Sequence, residues 1–194
     1  MSTNSNLSLK SANIEPDLAL GHPGELAMRA IFPSPIDWKE ENLKGMMRDS
    51  ISVGFAAFIN SQHFFFLATS SAKGHCDASF KAREYNAAGE PLPAVLVIDA
   101  QHVAFPDYAG NGLYNSLGNI AENPHVGMLF VDFEHQRRGR LNGKAEIVSA
   151  SDELRRIWPM AQSVVLVTVE QAFGNCPARI PQMHMEQGSD RSKA

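Results

Sequence analysis

The sequence predicts a small antiparallel β-barrel, mainly β with a few short helices. Three observations carry that expectation. Six or seven short runs are apolar or alternate apolar with polar, most of the links between them are of hairpin length, and turn signals separate them at regular spacing. A single glycine-bearing loop, followed by a short helix, interrupts the pattern between two of the runs.

The chain has 194 residues, enough for one domain with a sizeable core. Apolar residues make up 44% and charged residues 20%, ordinary for a globular protein. A net charge of −4 argues against nucleic-acid binding through bulk positive charge. No apolar run approaches the length of a membrane-spanning helix, so no membrane partner is expected. The N-terminus is rich in Ser and Asn and carries no basic-then-apolar leader, which makes the cytoplasm the expected location. Cys76 and Cys176 match no metal-ligand spacing, so no metal is expected; they read as two thiols or as one bridge.

Residues 1–17 are polar and unpatterned and read as a disordered arm. Residues 18–181 read as one domain, and 182–194 as a disordered tail. Asp37-Trp38-Lys39-Glu40 has the form of a capping box and predicts a helix after it, with Leu43, Met46, Met47 and Ile51 on its apolar side. That helix continues or restarts through Val53 to Phe58. Phe64 to Thr69 is dense enough for a buried strand, Ser70 to Gly74 is a turn, and Cys76 to Ala82 is the second arm of a hairpin. Period-two alternation puts Ser79 and Lys81 on one face of that arm.

Arg83 to Pro93 is a polar loop. Ala94 to Asp99 reads as a strand, Asp99-Ala100-Gln101 as a tight turn, and His102 to Pro106 as the next strand. Pro106 has no N–H to give a ladder, so it marks a strand end or an edge. The loop Asp107 to Gly112 then runs into a helix whose apolar face is Leu113, Leu117, Ile120 and Ala121; Asn123-Pro124 stops it. A strand, glycines and a helix N-terminus in that order suit an anion, because the first helical turn leaves backbone N–H groups without partners. Val126 to Phe133 is a long apolar strand. Arg138 to Ser149 returns with Arg140, Asn142, Lys144 and Glu146 on its polar face, and Gly143 breaks the alternation. Ser151-Asp152-Glu153 opens a helix that Pro159 ends, and Ser163 to Val169 is the last strand.

From about Gly21 to Ile180 the chain resembles the pyridoxamine 5′-phosphate oxidase-like family of FMN-binding split barrels. The residues that carry the resemblance are Phe105-Pro106-Asp107-Tyr108, Gly110-Asn111-Gly112, Asn123-Pro124, Leu129 to Phe133, Asn142 to Glu146, and Asn175-Cys176-Pro177. The resemblance implies a split β-barrel of six to seven mostly antiparallel strands, with FMN at the interface of a homodimer. It implies that Ser79 and Lys81 serve the cofactor, with Asn111, Gly112 and the nearby amides at the phosphate and Arg140 a further cation. Phe80, Phe105 and Pro106 become contacts for the ring. Asp107, Tyr108 and Cys176 enter with the shared motifs.

The chain departs from the authentic pyridoxamine phosphate oxidases. Gly110-Asn111-Gly112 stands where they offer Ser-Arg-Lys, which removes two cations, and their C-terminal Arg-Leu-x-Pro segment is missing. Oxidation of pyridoxamine phosphate is therefore not expected. No nucleophile or acid–base set stands out, as befits a protein whose cofactor performs the redox step. The expectation is an FMN-dependent oxidoreductase that draws electrons from NAD(P)H or a separate reductase. The alternatives are a flavin carrier or sensor without turnover, and a split barrel for haem or a deazaflavin. A haem would look to His63, His75 or His102.

Overall fold

The computed structural model describes residues 21–185 apart from 33 and 35. The expected arm, 1–17, and residues 186–194 of the expected tail lie outside the described residues. The chain divides into two units, residues 1–47 and 48–194.

In the first unit, the first helix is α1 (Pro23–Ile31). Pro23 is pre-shaped for a first helical position, and Glu25 accepts from the His22 N–H at 2.9 Å. The helix α2 (Glu40–Met46) follows, but Asp37 does not cap it: Lys39 occupies the N-cap position. The capping-box spacing was therefore set two residues too early.

The second unit opens with α3 (Val53–Asn60), capped by the Ser52 hydroxyl, which accepts from the Phe55 N–H at 3.3 Å. The strands are β1 (Phe64–Ser70), β2 (Cys76–Ala82), β3 (Leu96–Val97), β4 (His102–Tyr108), β5 (His125–Asp132), β6 (Arg137–Val148) and β7 (Ala161–Asn175). Two helices interrupt them, α4 (Asn115–Glu122) and α5 (Asp152–Ile157). The strands form one sheet in the order β2-β1-β5-β6-β7-β4-β3. Every neighbouring pair is antiparallel.

The sheet curls on itself. Strands β1 and β4 stand four places apart in that order, yet the rings of Phe65 and Phe105 meet edge to face at 5.2 Å, and Phe65 meets Phe130 at 5.6 Å. All three side chains are excluded from solvent and lie in the main core with Leu67, Met128, Leu141 and Val165. A second core gathers Ala104, Val164 and the fully buried Trp158, whose indole N–H donates to the Pro93 carbonyl at 2.7 Å.

Several elements differ in extent from the sequence reading. The segment read as a strand from Ala94 to Asp99 pairs with β4 only at Leu96 and Val97. That leaves β4 with one neighbour, β7, at Pro106, so the proline sits on a local edge where its missing N–H costs no ladder bond. Strand β7 runs on to Asn175, because its long partner β6 continues to pair with it. The helix α4 starts at Asn115, leaving Leu113 outside it and exposed.

The break in alternation at Gly143 has a steric cause. The register between β6 and β7 shifts between Asn142 and Gly143. A Cβ at Gly143 would run into the carbonyl oxygen of Thr168. Because the obstacle is backbone, Gly143→Ala is expected to lower stability by about 1–3 kcal/mol, the usual range for overpacking. Denaturant unfolding followed by tryptophan fluorescence measures it, and an unchanged midpoint would contradict the steric account.

Candidate functional site

Strand β2 lies on the sheet edge and alternates between half-buried and exposed residues. Asp77, Ser79 and Lys81 form the half-buried row. In register, Lys81 stands opposite Phe65 and Ser79 opposite Leu67, so this row shares the core-facing side of β1. Phe105 of β4 also faces that core, and Asp107, two residues on, points the same way. Closure of the sheet thus brings β2 against the end of β4. The Lys81 ammonium lies 3.7 Å from Asp107 Oδ1, with both side chains largely buried.

The loop from Ala109 and the start of α4 complete an open cavity of about 220 Å³. Its lining combines Asp77, Ser79 and Lys81 of β2 with Asp107 and Tyr108 of β4, and runs from Gly110 to Leu117. Two conformations in the loop are forced. Gly112 has φ +77°, which glycine adopts without steric cost. Tyr114 has φ 53°, a left-handed position that a bulky residue holds only against strain. Tyr114 is the N-cap of α4 and makes no side-chain cap, so the N–H groups of Asn115, Ser116 and Leu117 have no capping acceptor.

The polar side chains of the cavity are already engaged with one another. Ser116 donates to Asp77 Oδ2 at 3.0 Å, which leaves the Ser79 hydroxyl to donate to Ser116 across their 3.0 Å contact. Asn111 Oδ1 accepts from the Leu113 N–H at 3.0 Å, so its amide nitrogen is the end left to meet a ligand. Gln162 reaches Asp107 Oδ2 at 3.4 Å. Tyr108 lines the cavity near its backbone, but its ring packs into the second core on the other face of β4, where the hydroxyl is buried without a hydrogen-bond partner. Burial, and then the nearby Glu84 carboxylate, push its phenol up to about 12, so it stays neutral and able to donate.

Of the residues expected to serve a cofactor, the fold brings Ser79, Lys81, Asp107, Tyr108, Asn111 and Gly112 to this one cavity. Phe105 lies beneath it in the core. Pro106 points to the other face of β4. Phe80 and Arg140 stand elsewhere. Both pair across the sheet with residues of the outer face, and Arg140 lies over the Phe173 ring at 6.0 Å. Cys176 follows the end of β7; it and Cys76 are free and exposed, which removes the single-bridge reading. The histidines do not converge on the cavity. His75 sits in the β1–β2 turn, His63 precedes β1, and Asp99 holds His102 Nδ1 at 2.9 Å.

Asp77 and Ser116 were not singled out in the sequence. The signal for Asp77 was available, since alternation places it in line with Ser79 and Lys81. Among the described residues no cluster of three or more His, Cys, Asp or Glu is placed to hold a metal, and no helix is long and apolar enough to cross a membrane.

The family model described as pyridoxamine 5′-phosphate oxidase matches residues 54–190. The crystal structure of HupZ from Group A Streptococcus is similar at 20% identity and a TM-score of 0.51, covering 69% of this chain and 99% of that one. A histidine-to-alanine variant of HupZ is similar at 22% identity and a TM-score of 0.50, covering 64% and 99%. A Lactobacillus delbrueckii protein provisionally named a pyridoxamine 5′-phosphate oxidase is 16% identical with a TM-score of 0.49, covering 66% and 98%. No curated protein sequence matches the chain. At these identities the two HupZ structures speak for the fold alone.

The Tyr108 environment has a consequence at alkaline pH. Above the ordinary phenol value of 10.0 an unfolded Tyr108 loses its proton, while the folded one keeps it to about 12. The unfolded state then binds fewer protons, so stability falls as pH rises through that window. Tyr108→Phe is expected to flatten the fall and to remove the latest step from a phenolate absorbance titration. A wild-type titration with no late tyrosine would contradict the assignment.

Proposed function

The chain belongs to the pyridoxamine 5′-phosphate oxidase family, and on that premise we propose that it is an FMN-binding flavoprotein acting in electron transfer. The observation that carries this reading is the meeting of Lys81 and Ser79 with an uncapped helix start and a Gly-Asn-Gly loop around one cavity. The donor set fits a phosphate: an ammonium, the amide of Asn111, and the N–H groups of the first turn of α4, where the helix dipole also favours negative charge.

The cavity, at about 220 Å³, is smaller than the roughly 300–1,000 Å³ typical of pockets that enclose a drug-sized ligand. The phosphate end of FMN fits within it, and the ring extends beyond. Bound flavin would exchange a hydride or single electrons, while Lys81, Asn111 and the α4 amides would anchor it. The electrons come from a reduced nicotinamide or a separate reductase.

We also propose that the working form is a homodimer located in the cytoplasm. The outer face of β1 and β2, with Phe133 just beyond β5, carries ring contacts among Phe64, Phe66, Phe80 and Phe133, with Phe66 38% and Phe80 58% exposed. A joined aromatic patch of this kind is a common mark of an interface.

Two measurements test these readings. Purified protein mixed with FMN and freed of excess is expected to keep flavin absorbance. Lys81→Ala is expected to weaken FMN binding about tenfold or more, and Asn111→Ala to weaken it less. Unchanged affinity in both variants would remove the cavity as the phosphate site. Light scattering is expected to give a dimer that Phe66→Glu with Phe80→Glu converts to monomer. A monomeric wild type that still holds FMN would sink the interface reading.

A further inference from the structure

The cavity brings one cation together with two carboxylates: Lys81, Asp77 and Asp107 all line it, and Lys81 is paired with Asp107. Asp77 is occupied as the acceptor of Ser116. Asp107 is 8% exposed and stands 3.7 Å from the Lys81 ammonium. A phosphate entering the cavity therefore meets a lysine whose charge is already balanced, beside a buried carboxylate that repels it. Partial burial weakens the screening of both the pair and the repulsion. Ser79 is engaged as well, with Ser116, while Asn111 keeps its amide nitrogen for a ligand because its Oδ1 accepts from Leu113.

Building on the proposed FMN site, we propose that Asp107 is an internal competitor for the ligand's phosphate. It holds Lys81 whenever the cavity is empty, so FMN is taken up as an exchangeable ligand rather than as a resident cofactor. Asp107 acts through Lys81 and needs no contact with the flavin, which makes it a positioning residue. The phosphate then adds little net affinity, because each new Lys81–phosphate interaction displaces a Lys81–Asp107 interaction and brings two anions together. The class of ligand follows: a phosphorylated flavin that passes on and off the protein, with its dephosphorylated form, riboflavin, bound almost as well.

The experiment is a titration of wild type, Asp107→Asn, Lys81→Ala and the double variant with FMN and with riboflavin, followed by flavin fluorescence. Wild type is expected to bind FMN less than about tenfold more tightly than riboflavin. Asp107→Asn is expected to tighten FMN about tenfold or more and to leave riboflavin unchanged, and the gain is expected to shrink in the Lys81→Ala background, where only the repulsion is relieved. A wild-type preference for FMN beyond about a hundredfold overturns the proposal, whether or not the variants fold. So does a gain shared by riboflavin, a gain undiminished by loss of Lys81, or no gain at all. Wild type that binds neither flavin refutes the FMN reading itself, a result distinct from any of these.

Discussion

The contact between Phe65 and Phe105 is the constraint on which the rest of the second unit depends. These rings belong to strands that three others separate in the sheet, so they can touch only if the sheet curls. Burying such rings is worth several kcal/mol each, judging by the roughly 3–5 kcal/mol lost when a core aromatic is truncated. The same curl decides the chemistry at the rim. Lys81 is the register partner of Phe65, and Asp107 lies two residues beyond Phe105. Whatever brings the rings together brings the ammonium to the carboxylate. The apolar core and the polar cavity are two layers of one closure.

That closure gives the cavity an unusual charge balance for a site that would accept a phosphate. A resident cofactor is served by cations held ready, whereas this cavity keeps its cation, its serine and its asparagine oxygen in contacts of their own. What stays open is backbone: the first turn of α4, behind a strained and uncapped Tyr114. Backbone donors carry no formal charge to be neutralised in the empty state, so they can remain available where a second lysine could not.

Much of this fold is legible in the sequence where one physical cause dominates. Strand β2 runs from Cys76 to Ala82 as its alternation says, because one face meets the core and the other meets solvent. The helix α5 starts behind Ser151 because that hydroxyl caps it. Legibility fails where pairing, not composition, sets the limits. The apolar run near Leu96 looks like a full strand but finds a partner for only two residues. The polar residues Glu170 and Gln171 look like an end to β7, yet β6 carries the strand past them. The site divides in the same manner. Ser79 and Lys81 share a face by local geometry, which also sends Phe80 to the other side. No local rule could reveal that Asp107 would lie against Lys81, since that depends on the curl of the whole sheet.

The helix α4 is fastened to the hairpin beneath it. Asn119 donates to Thr69 Oγ1, Asn123 donates to Ser70 Oγ, and Glu122 accepts the Ala72 N–H in the β1–β2 turn. At the other end of the loop, β4 is held by its ladder with β7. The segment from Ala109 to Leu113 is therefore a span between two fixed piers, and a Cβ added at Gly110 would meet no neighbour within 4 Å. Such a span can change its residues over evolutionary time without disturbing the barrel that bears it. Families built on this frame can exchange one ligand for another by rewriting a few loop positions, and the price in stability stays small because the piers do not move.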